Sequence, residues 1–303
     1  YFLFLNLMLF LMVANSLCKK SLGVFTLSLQ SSISSSVKLQ RAFGNVSLSV
    51  ATDALGNTKL SDLRQEGSMR AVFPRSTNNN LEAVIVNTAG GITSGDYFST
   101  YVKVAKGANL TITTQAAERI YSAFDNESGK INNNLSVEEN AQLYWLPQET
   151  ILFDGSKLER KLNIELFDTS KVLFVEPIVF GRLASGEELG SCFFKDNVSI
   201  NCNGEPIYID GIKMNGNITK ILKNKSISNN NKAMANIVLY DANSIEILNK
   251  IRKLLPSTAG ASLINNHLLL IRILSPDSYE LRKKLLPILS LLTDNAVPKN
   301  WKL

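Results

Sequence analysis

The sequence predicts a mainly β protein: a stacked β-strand, β-helix-like body followed by a small C-terminal α/β cap that contains two helices. Short β-branched or alternating segments, punctuated by Gly and Asn, run from Val46 to Gly211, and helical periodicity begins only after them. With 303 residues, 45% hydrophobic and 19% charged, the chain can bury a full core in one large or two modest domains.

A repeated pattern indicates how the strands of the body stack. The stretches VKVAKGANLTITTQ, LSVEENAQLYWLPQ and IELFDTSKVLFVEP each read as strand, short turn, strand and polar exit. Their turn residues Ala108, Ala141 and Ser170 are 33 and 29 residues apart. We expect each unit to be a hairpin whose apolar face packs on the next, in a solenoid-like or sandwich-like body.

The C-terminal part alternates strands with helices. The segments ANIVLY and HLLLIRIL read as strands. A first helix is predicted after a capping box at Asn243–Glu246, and a second is predicted to start at Ser275 and to kink at Pro287. Their apolar faces comprise Ile245, Leu248, Ile251 and Leu255, then Leu281, Leu285, Ile288 and Leu292.

These patterns divide the chain into four segments. We assign them as an apolar leader (1–37), the β body (38–221), an Asn/Lys-rich linker (222–232) and the α/β cap (233–303). The leader is apolar over about seventeen residues, short for a membrane span, and it lacks the basic start of a signal peptide. We interpret it as a reading-frame artefact or a signal-like segment and exclude it from the fold.

Charge and rare residues exclude several function classes. The formal charge is +6, from 32 basic and 26 acidic residues, and no basic stripe with interleaved aromatic residues predicts nucleic-acid binding. Three cysteines without a C-x-x-C motif indicate reduced thiols. A single histidine, His267, argues against triad chemistry and a tight transition-metal site. We expect no enzymatic activity.

The glycine-rich segment NTAGGITSGDYF, residues 87–98, has two interpretations. It matches neither phosphate-binding glycine motif, and no helical pattern follows it. In the first interpretation it is a wide turn whose glycines adopt positive φ and whose Asp96 accepts hydrogen bonds. In the second, Asp96 faces an interior polar path.

Carboxylates are the remaining candidates for chemistry, and they also have two interpretations. They either cap turns and pair with Arg119, Arg160 and Arg182, or they form a line of weak oxygen ligands that passes a divalent cation. Each lies beside Gly, Pro or an aromatic residue in the predicted exits of strands. The candidates are Asp96, Glu118, Glu149, Asp154, Glu176 and Glu187.

Six ordered blocks carry a resemblance to a known family. They are EAVIVNTAGGITSGD, TITTQAAERIYS, LYWLPQETILFDGSKLER, VEPIVFGRLASGE, GASLINNHLLLIRILSPDSYELR and VPKNW. In this order they resemble the urease accessory proteins called UreD, or UreH in some species, from about Leu39 to Trp301. Ser94 stands where the family usually has glycine, and Lys299 stands where arginine is common.

The resemblance implies a non-catalytic, cytoplasmic scaffold with neither membrane nor nucleic-acid partners. It would bind apo-urease together with UreF and the GTPase UreG and assist nickel delivery, with no tightly bound cofactor and with nickel only in transit. A tunnel has been proposed for the family, and by motif position its lining here would include Asp96, Glu118, Glu149, Glu176 and Glu187. The alternatives are a pure docking scaffold and a secreted β-solenoid surface protein.

Overall fold

Strands dominate the molecule and confirm the predicted fold class. The computed structural model describes residues 40–75 and 80–302, so the prediction for the 1–37 leader lies outside the described residues. The protein is mainly β, with 51% strand and 13% helix, and its body is a β-solenoid of about 4 turns. A stacked, β-helix-like body was therefore correctly predicted.

Within the described residues, seventeen strands build two sheets. In chain order they are β1 Phe43–Thr52, β2 Thr58–Gly67, β3 Met69–Val72, β4 Leu81–Asn87, β5 Tyr97–Val104, β6 Asn109–Thr114, β7 Glu118–Ile120, β8 Gly129–Val137, β9 Gln142–Leu146, β10 Thr150–Leu152, β11 Lys157–Leu166, β12 Lys171–Phe180, β13 Cys192–Cys202, β14 Glu205–Gly216, β15 Ala233–Tyr240, β16 Ala259–Leu263 and β17 Leu268–Ser275. Sheet A has the order β14-β13-β11-β8-β5-β1-β2. Sheet B has the order β16-β17-β15-β12-β9-β6-β4-β3, and β10 joins β12 to β7.

The repeat predicted from sequence exists, but its units are not hairpins. The strands on either side of Ala108, β5 and β6, belong to different sheets, and the same holds for β8 and β9 and for β11 and β12. Each strand pairs in parallel with its counterpart in the next unit. The alternating pattern could not distinguish a turn that reverses the chain within one sheet from a turn that leads it into a second sheet.

The turns of the three units are equivalent in detail. The main-chain N–H groups of Ala108, Ala141 and Ser170 each donate to the carbonyl oxygen three residues earlier, at 3.0, 3.1 and 2.9 Å. All three turn residues are buried. Small side chains are needed there because successive turns stack directly on one another, and the carbonyl of each of the first two accepts a hydrogen bond from the next unit.

Alternation along the strands places every second side chain between the two sheets. In sheet A, one interior row consists of Val50, Val104, Val137 and Leu166, which occupy matching register positions and are fully buried. In β12, by contrast, nine of ten residues are buried because the outer face of sheet B is covered as well. This explains its nearly continuous apolar sequence.

The C-terminal strands extend sheet B, and helices cover its outer face. Strand β15 pairs antiparallel with β12, and β17 follows β15. The helices are α1 Ile218–Leu222, α2 Ser244–Arg252 and α3 Ser278–Leu292, with 3-10 turns at Leu183–Ser185 and Lys299–Trp301. The prediction of two helices thus missed the short α1, whose five residues are too few for a periodic signal.

Helix α2 begins behind Asn243 as predicted, but its capping bond and one member of its apolar face are absent, and the predicted start of α3 is wrong. The side chain of Asn243 makes no capping hydrogen bond, and Ile245 is 49% exposed, so neither the capping box nor that member of the apolar face is present. Helix α3 begins at Ser278 behind Asp277, whose carboxylate accepts from the N–H of Glu280 at 2.8 Å. Ser275 instead ends β17. Helix α3 buries all four of its predicted apolar residues and contains Pro287.

Among the described residues, none of the helices has the length and apolar character that crossing a bilayer demands. The assignment of 222–232 as a linker remains a prediction. In this segment Ser228 is buried, and its hydroxyl donates to the carbonyls of Leu222 and Asn231 at 2.8 and 2.9 Å.

Candidate functional site

A cavity of about 260 Å³ lies between the two sheets, near the N-terminal ends of β5, β8 and β11. Sheet A contributes Phe98, Thr100, Ile131, Asn133 and Arg160 to its wall, and sheet B contributes side chains that include Trp145 and Glu176. Exposed residues of two loops, among them Gly90 and Gln115, also line it. The cavity therefore connects the polar part of the interior with the surface.

Two members of a buried charged triad, Arg160 and Glu176, line this cavity, and the third member, Asp196, lies behind them. Arg160 lies at an inward position of β11 and donates from Nε and Nη2 to both carboxylate oxygens of Asp196 on β13, at 2.9 and 2.6 Å. The same Nη2 lies 2.9 Å from Oε2 of Glu176. All three side chains are 5% exposed or less, so each depends on the others to offset its loss of hydration.

Glu176 is the member of the triad with unused bonding capacity. Its Oε1 accepts a 3.4 Å hydrogen bond from the indole N–H of Trp145. Its Oε2 has no partner in hydrogen-bond geometry among the described residues, because Arg160 already directs its bonds at Asp196. Burial raises the pKa of Glu176 to about 7, although Arg160 opposes the shift. Glu176 therefore titrates close to neutral pH.

Glu118 is the second carboxylate of the cavity. It begins β7, which pairs with β10 and touches the glycine-rich loop through a bridge between Ile120 and Ile92. Its Oε1 accepts a 3.1 Å hydrogen bond from the side chain of Asn87. Burial raises its pKa to about 7. The cavity thus carries two carboxyl groups that exchange protons near neutral pH.

Asp96 does not line the cavity. Its Oδ1 accepts from the N–H of Ala42 at 2.7 Å, and its Oδ2 accepts from the N–H of Thr93 at 2.8 Å. The structure therefore supports the interpretation of a wide turn with Asp96 as its acceptor. Gly91 is required in this loop because it has φ +152, and a Cβ there would lie 2.7 Å from the carbonyl oxygen of Arg119.

The other two predicted acids also lie outside the cavity lining. Glu149 is buried and binds the guanidinium of Arg282 at 2.9 to 3.1 Å. Glu187 pairs with Arg182 near the surface at 2.8 Å. The structure consequently brings together two of the five predicted acids, Glu118 and Glu176.

The sequence interpretation missed the polar residues that surround these two acids. Arg160 was considered only as a partner that would neutralise an acid, and Asp196 and Asn133 were not considered. Their signal is positional: in β11, Arg160 alternates with the buried residues Leu158 and Leu162, so the strand pattern places a charge in the interior. A charged residue at an inward, otherwise apolar position of an alternating strand indicates a site residue.

The chemistry that this arrangement permits is weak oxygen ligation. The described part of the chain contains no group of three or more His, Cys, Asp or Glu side chains able to hold a metal ion. A carboxylate in a cavity of about 260 Å³ can coordinate a hydrated divalent cation incompletely, and the ion would keep part of its hydration shell. Binding would compete with protonation, because a metal-bound carboxylate must be ionised.

Comparison with known proteins gives one consistent result. Residues 42–302 match the family model described as UreD urease accessory protein. The urease accessory protein UreD of Ruegeria pomeroyi is 44% identical over 255 residues, covering 84% of this chain and 99% of the relative. The UreD proteins of Roseobacter denitrificans and Azorhizobium caulinodans are 37% and 36% identical, each over 87% of this chain and 96% or more of the relative. The chain belongs to the UreD family of urease accessory proteins.

Proposed function

We propose that this protein is a urease maturation scaffold that binds apo-urease together with UreF and UreG and that its interior cavity is part of the route by which nickel reaches the urease active site. Family membership supports the accessory role. The observation that carries the nickel route is the presence of Glu118 and Glu176 in one cavity inside the solenoid.

The properties of the two carboxyl groups suit transfer better than storage. A site that delivers nickel must release it to the urease ligands, so its affinity must stay low. Carboxylates without imidazole or thiolate partners bind Ni²⁺ weakly, and a pKa of about 7 lets a proton displace the ion at neutral pH. Arg160 also limits the negative charge that an entering cation meets.

The test is a double substitution, Glu118→Gln with Glu176→Gln, in the full chain. We expect the variant to assemble with UreF and apo-urease but to lower urease activation by at least about tenfold, since even groups that only support metal ligands are commonly worth that much. Glu187→Gln is the matched control because Glu187 is paired with Arg182 away from the cavity. Normal activation by the double variant would show that these carboxylates are not on the route.

A pure docking role is a second candidate because three of the five predicted acids are occupied by structural partners. The substitution Ala117→Phe distinguishes the nickel route from the pure docking role. Ala117 lines the cavity from a partly exposed loop position, so a phenyl group would obstruct the cavity without replacing a carboxylate. A route predicts intact assembly and reduced activation, whereas a docking role predicts that both are unchanged.

A further inference from the structure

The polar loops at the mouth of the cavity are held by the C-terminal segment of the chain. Two neighbouring loops of the solenoid, 114–118 and 147–150, line the cavity. They are joined to each other, because the N–H of Gln148 donates to Oγ1 of Thr114 at 2.9 Å and the N–H of Glu118 donates to the carbonyl oxygen of Glu149 at 2.8 Å. The backbone of Glu118 is thus fixed by the loop that contains Glu149.

Arg282 on α3 binds that loop and does not itself line the cavity. Its Nε and Nη2 donate to the carboxylate of Glu149 at 3.1 and 2.9 Å, and Nη2 also donates to the side-chain oxygen of Gln148. Gln148 lines the cavity, whereas Glu149 does not. A bidentate arginine–carboxylate pair of this kind fixes both distance and orientation.

The same guanidinium binds the end of the chain. Its Nη1 donates to the carbonyl oxygen of Trp301 at 3.3 Å, and the group lies 5.1 Å above the ring of Trp301. Trp301 is fully buried, and its indole N–H donates to the carbonyl of Leu146 at 2.9 Å. Asn300 reaches the other loop, where its side chain donates to the carbonyl oxygen of Thr114 at 2.5 Å.

We infer that Arg282 is a positioning residue for the cavity: together with the segment 299–302 it holds loop 147–150, and through that loop it sets the position of Glu118. Arg282 touches neither carboxylate of the cavity. The inference rests on the proposed function in one respect: the position of Glu118 affects urease activation only if nickel passes through the cavity. The segments around Gln148, Arg282 and Trp301 then share one task beyond packing, which is to hold the loops at the mouth of the cavity in place.

The experiment compares Arg282→Met with Arg272→Met. Arg272 is a matched control, because it also joins two segments, through Asn236 and Asp210 at 2.7 and 2.6 Å, but does not line this cavity. Hydrogen exchange at the Glu118 amide is the direct readout. We expect it to accelerate about tenfold or more in Arg282→Met, as loss of charge-assisted hydrogen bonds predicts, and to be unchanged in Arg272→Met.

A second readout separates positioning from general destabilisation. If Arg282 keeps Glu118 in its half-buried position at the cavity, the pKa of Glu118 should fall from about 7 toward its ordinary value in Arg282→Met, as measured by carboxyl NMR titration. Arg282→Lys should restore this pKa only in part, because a lysine keeps the charge but not the two-pronged geometry. Unchanged exchange and an unchanged pKa in Arg282→Met would overturn the inference.

Failure of the positioning claim and failure of the nickel route are distinguishable. If exchange at Glu118 and its pKa are unchanged in Arg282→Met while Glu118→Gln with Glu176→Gln fails to activate urease, positioning by Arg282 is wrong and the route stands. If the double glutamine variant activates normally, the route itself is wrong, and the exchange and pKa readouts still decide whether Arg282 positions Glu118.

Discussion

The inward-facing side chains of sheet A are apolar at the C-terminal ends of its parallel strands and include charged ones at the N-terminal ends, although the backbone is the same at both. One inward row has only apolar, fully buried side chains: Val50, Val104, Val137 and Leu166. Six residues earlier along β5, β8 and β11, the row that contains Phe98, Ile131, Arg160 and Asp196 places an ion pair at equivalent inward positions of sheet A. Register and alternation are continuous between the rows, so side-chain identity alone makes one end a core and the other a cavity.

This difference shows what the fold requires and what it merely permits. The apolar end packs the two sheets together through the buried residues of β1, β5, β8 and β11. The charged end adds groups that each lose hydration and that stabilise the fold only as a complete set. Such a cluster is expected where function, and not stability, has selected the side chains.

Breaking the triad should give the largest effect on stability. Arg160→Met removes the cation that pairs with two carboxylates, each 3% exposed, so we expect the free energy of unfolding to fall by about 3–5 kcal/mol. Chemical denaturation measures this. Arg272→Met, at a half-exposed pair, is the control and should cost less than about 1 kcal/mol. Equal losses would mean that the charged end is not energetically special.

The dependence of stability on pH should come from the cavity end. Folding raises the pKa of Glu176 and Glu118 from 4.5 to about 7, so the folded state binds more protons between these values. Their contribution is fully present below pH 4.5 and is lost as pH rises to about 7. We expect a slope of at most about 1.4 kcal/mol per pH unit for each carboxyl. Denaturation of Glu118→Gln with Glu176→Gln should lack this slope; a slope retained in full would assign it to other groups.

The apolar end should respond to substitution in the ordinary way. Ile164→Val removes one methyl group from a fully packed interior position, and we expect a loss of about 1 kcal/mol without any change in the slope with pH or in urease activation. Denaturation and activation assays on the same preparation test both points. A loss of activation out of proportion to the loss of stability would extend the functional region beyond the cavity end.

How much of the fold could be predicted from the sequence depends on how far apart in the chain the interacting residues lie. Local periodicity located the strands, the repeating turns at Ala108, Ala141 and Ser170, and the apolar face of α3. Pairing between sheets is not local, and the units were therefore misinterpreted as hairpins. The capping box of α2 failed for a similar reason: Ser244 donates its hydroxyl to the carbonyl of His267, the residue before β17, at 2.7 Å, and the capping pattern cannot contain so distant a contact.

The candidate site was predictable only in part. Family blocks and flanking residues selected five acids, but whether a carboxylate lines a cavity or caps a turn depends on which way it points. Asp96 and Glu118 follow similar glycine- or alanine-containing segments, yet Asp96 binds two main-chain N–H groups and Glu118 faces the cavity. The partners that decide this, Ala42 and Asn87, lie 54 and 31 residues away in sequence.

The central claim is that a divalent cation can enter the charged end of the interior, and the two tryptophans of the chain provide a direct measurement. The indole N–H of Trp145 contacts Glu176 at the cavity, whereas that of Trp301 is bound to the carbonyl of Leu146 and does not line it. During titration with paramagnetic Ni²⁺, the account predicts that the indole signal of Trp145 broadens before that of Trp301 and that Glu118→Gln with Glu176→Gln abolishes this difference. If both indole signals keep their widths, or broaden equally in wild type and variant, nickel does not occupy the cavity and the account is contradicted.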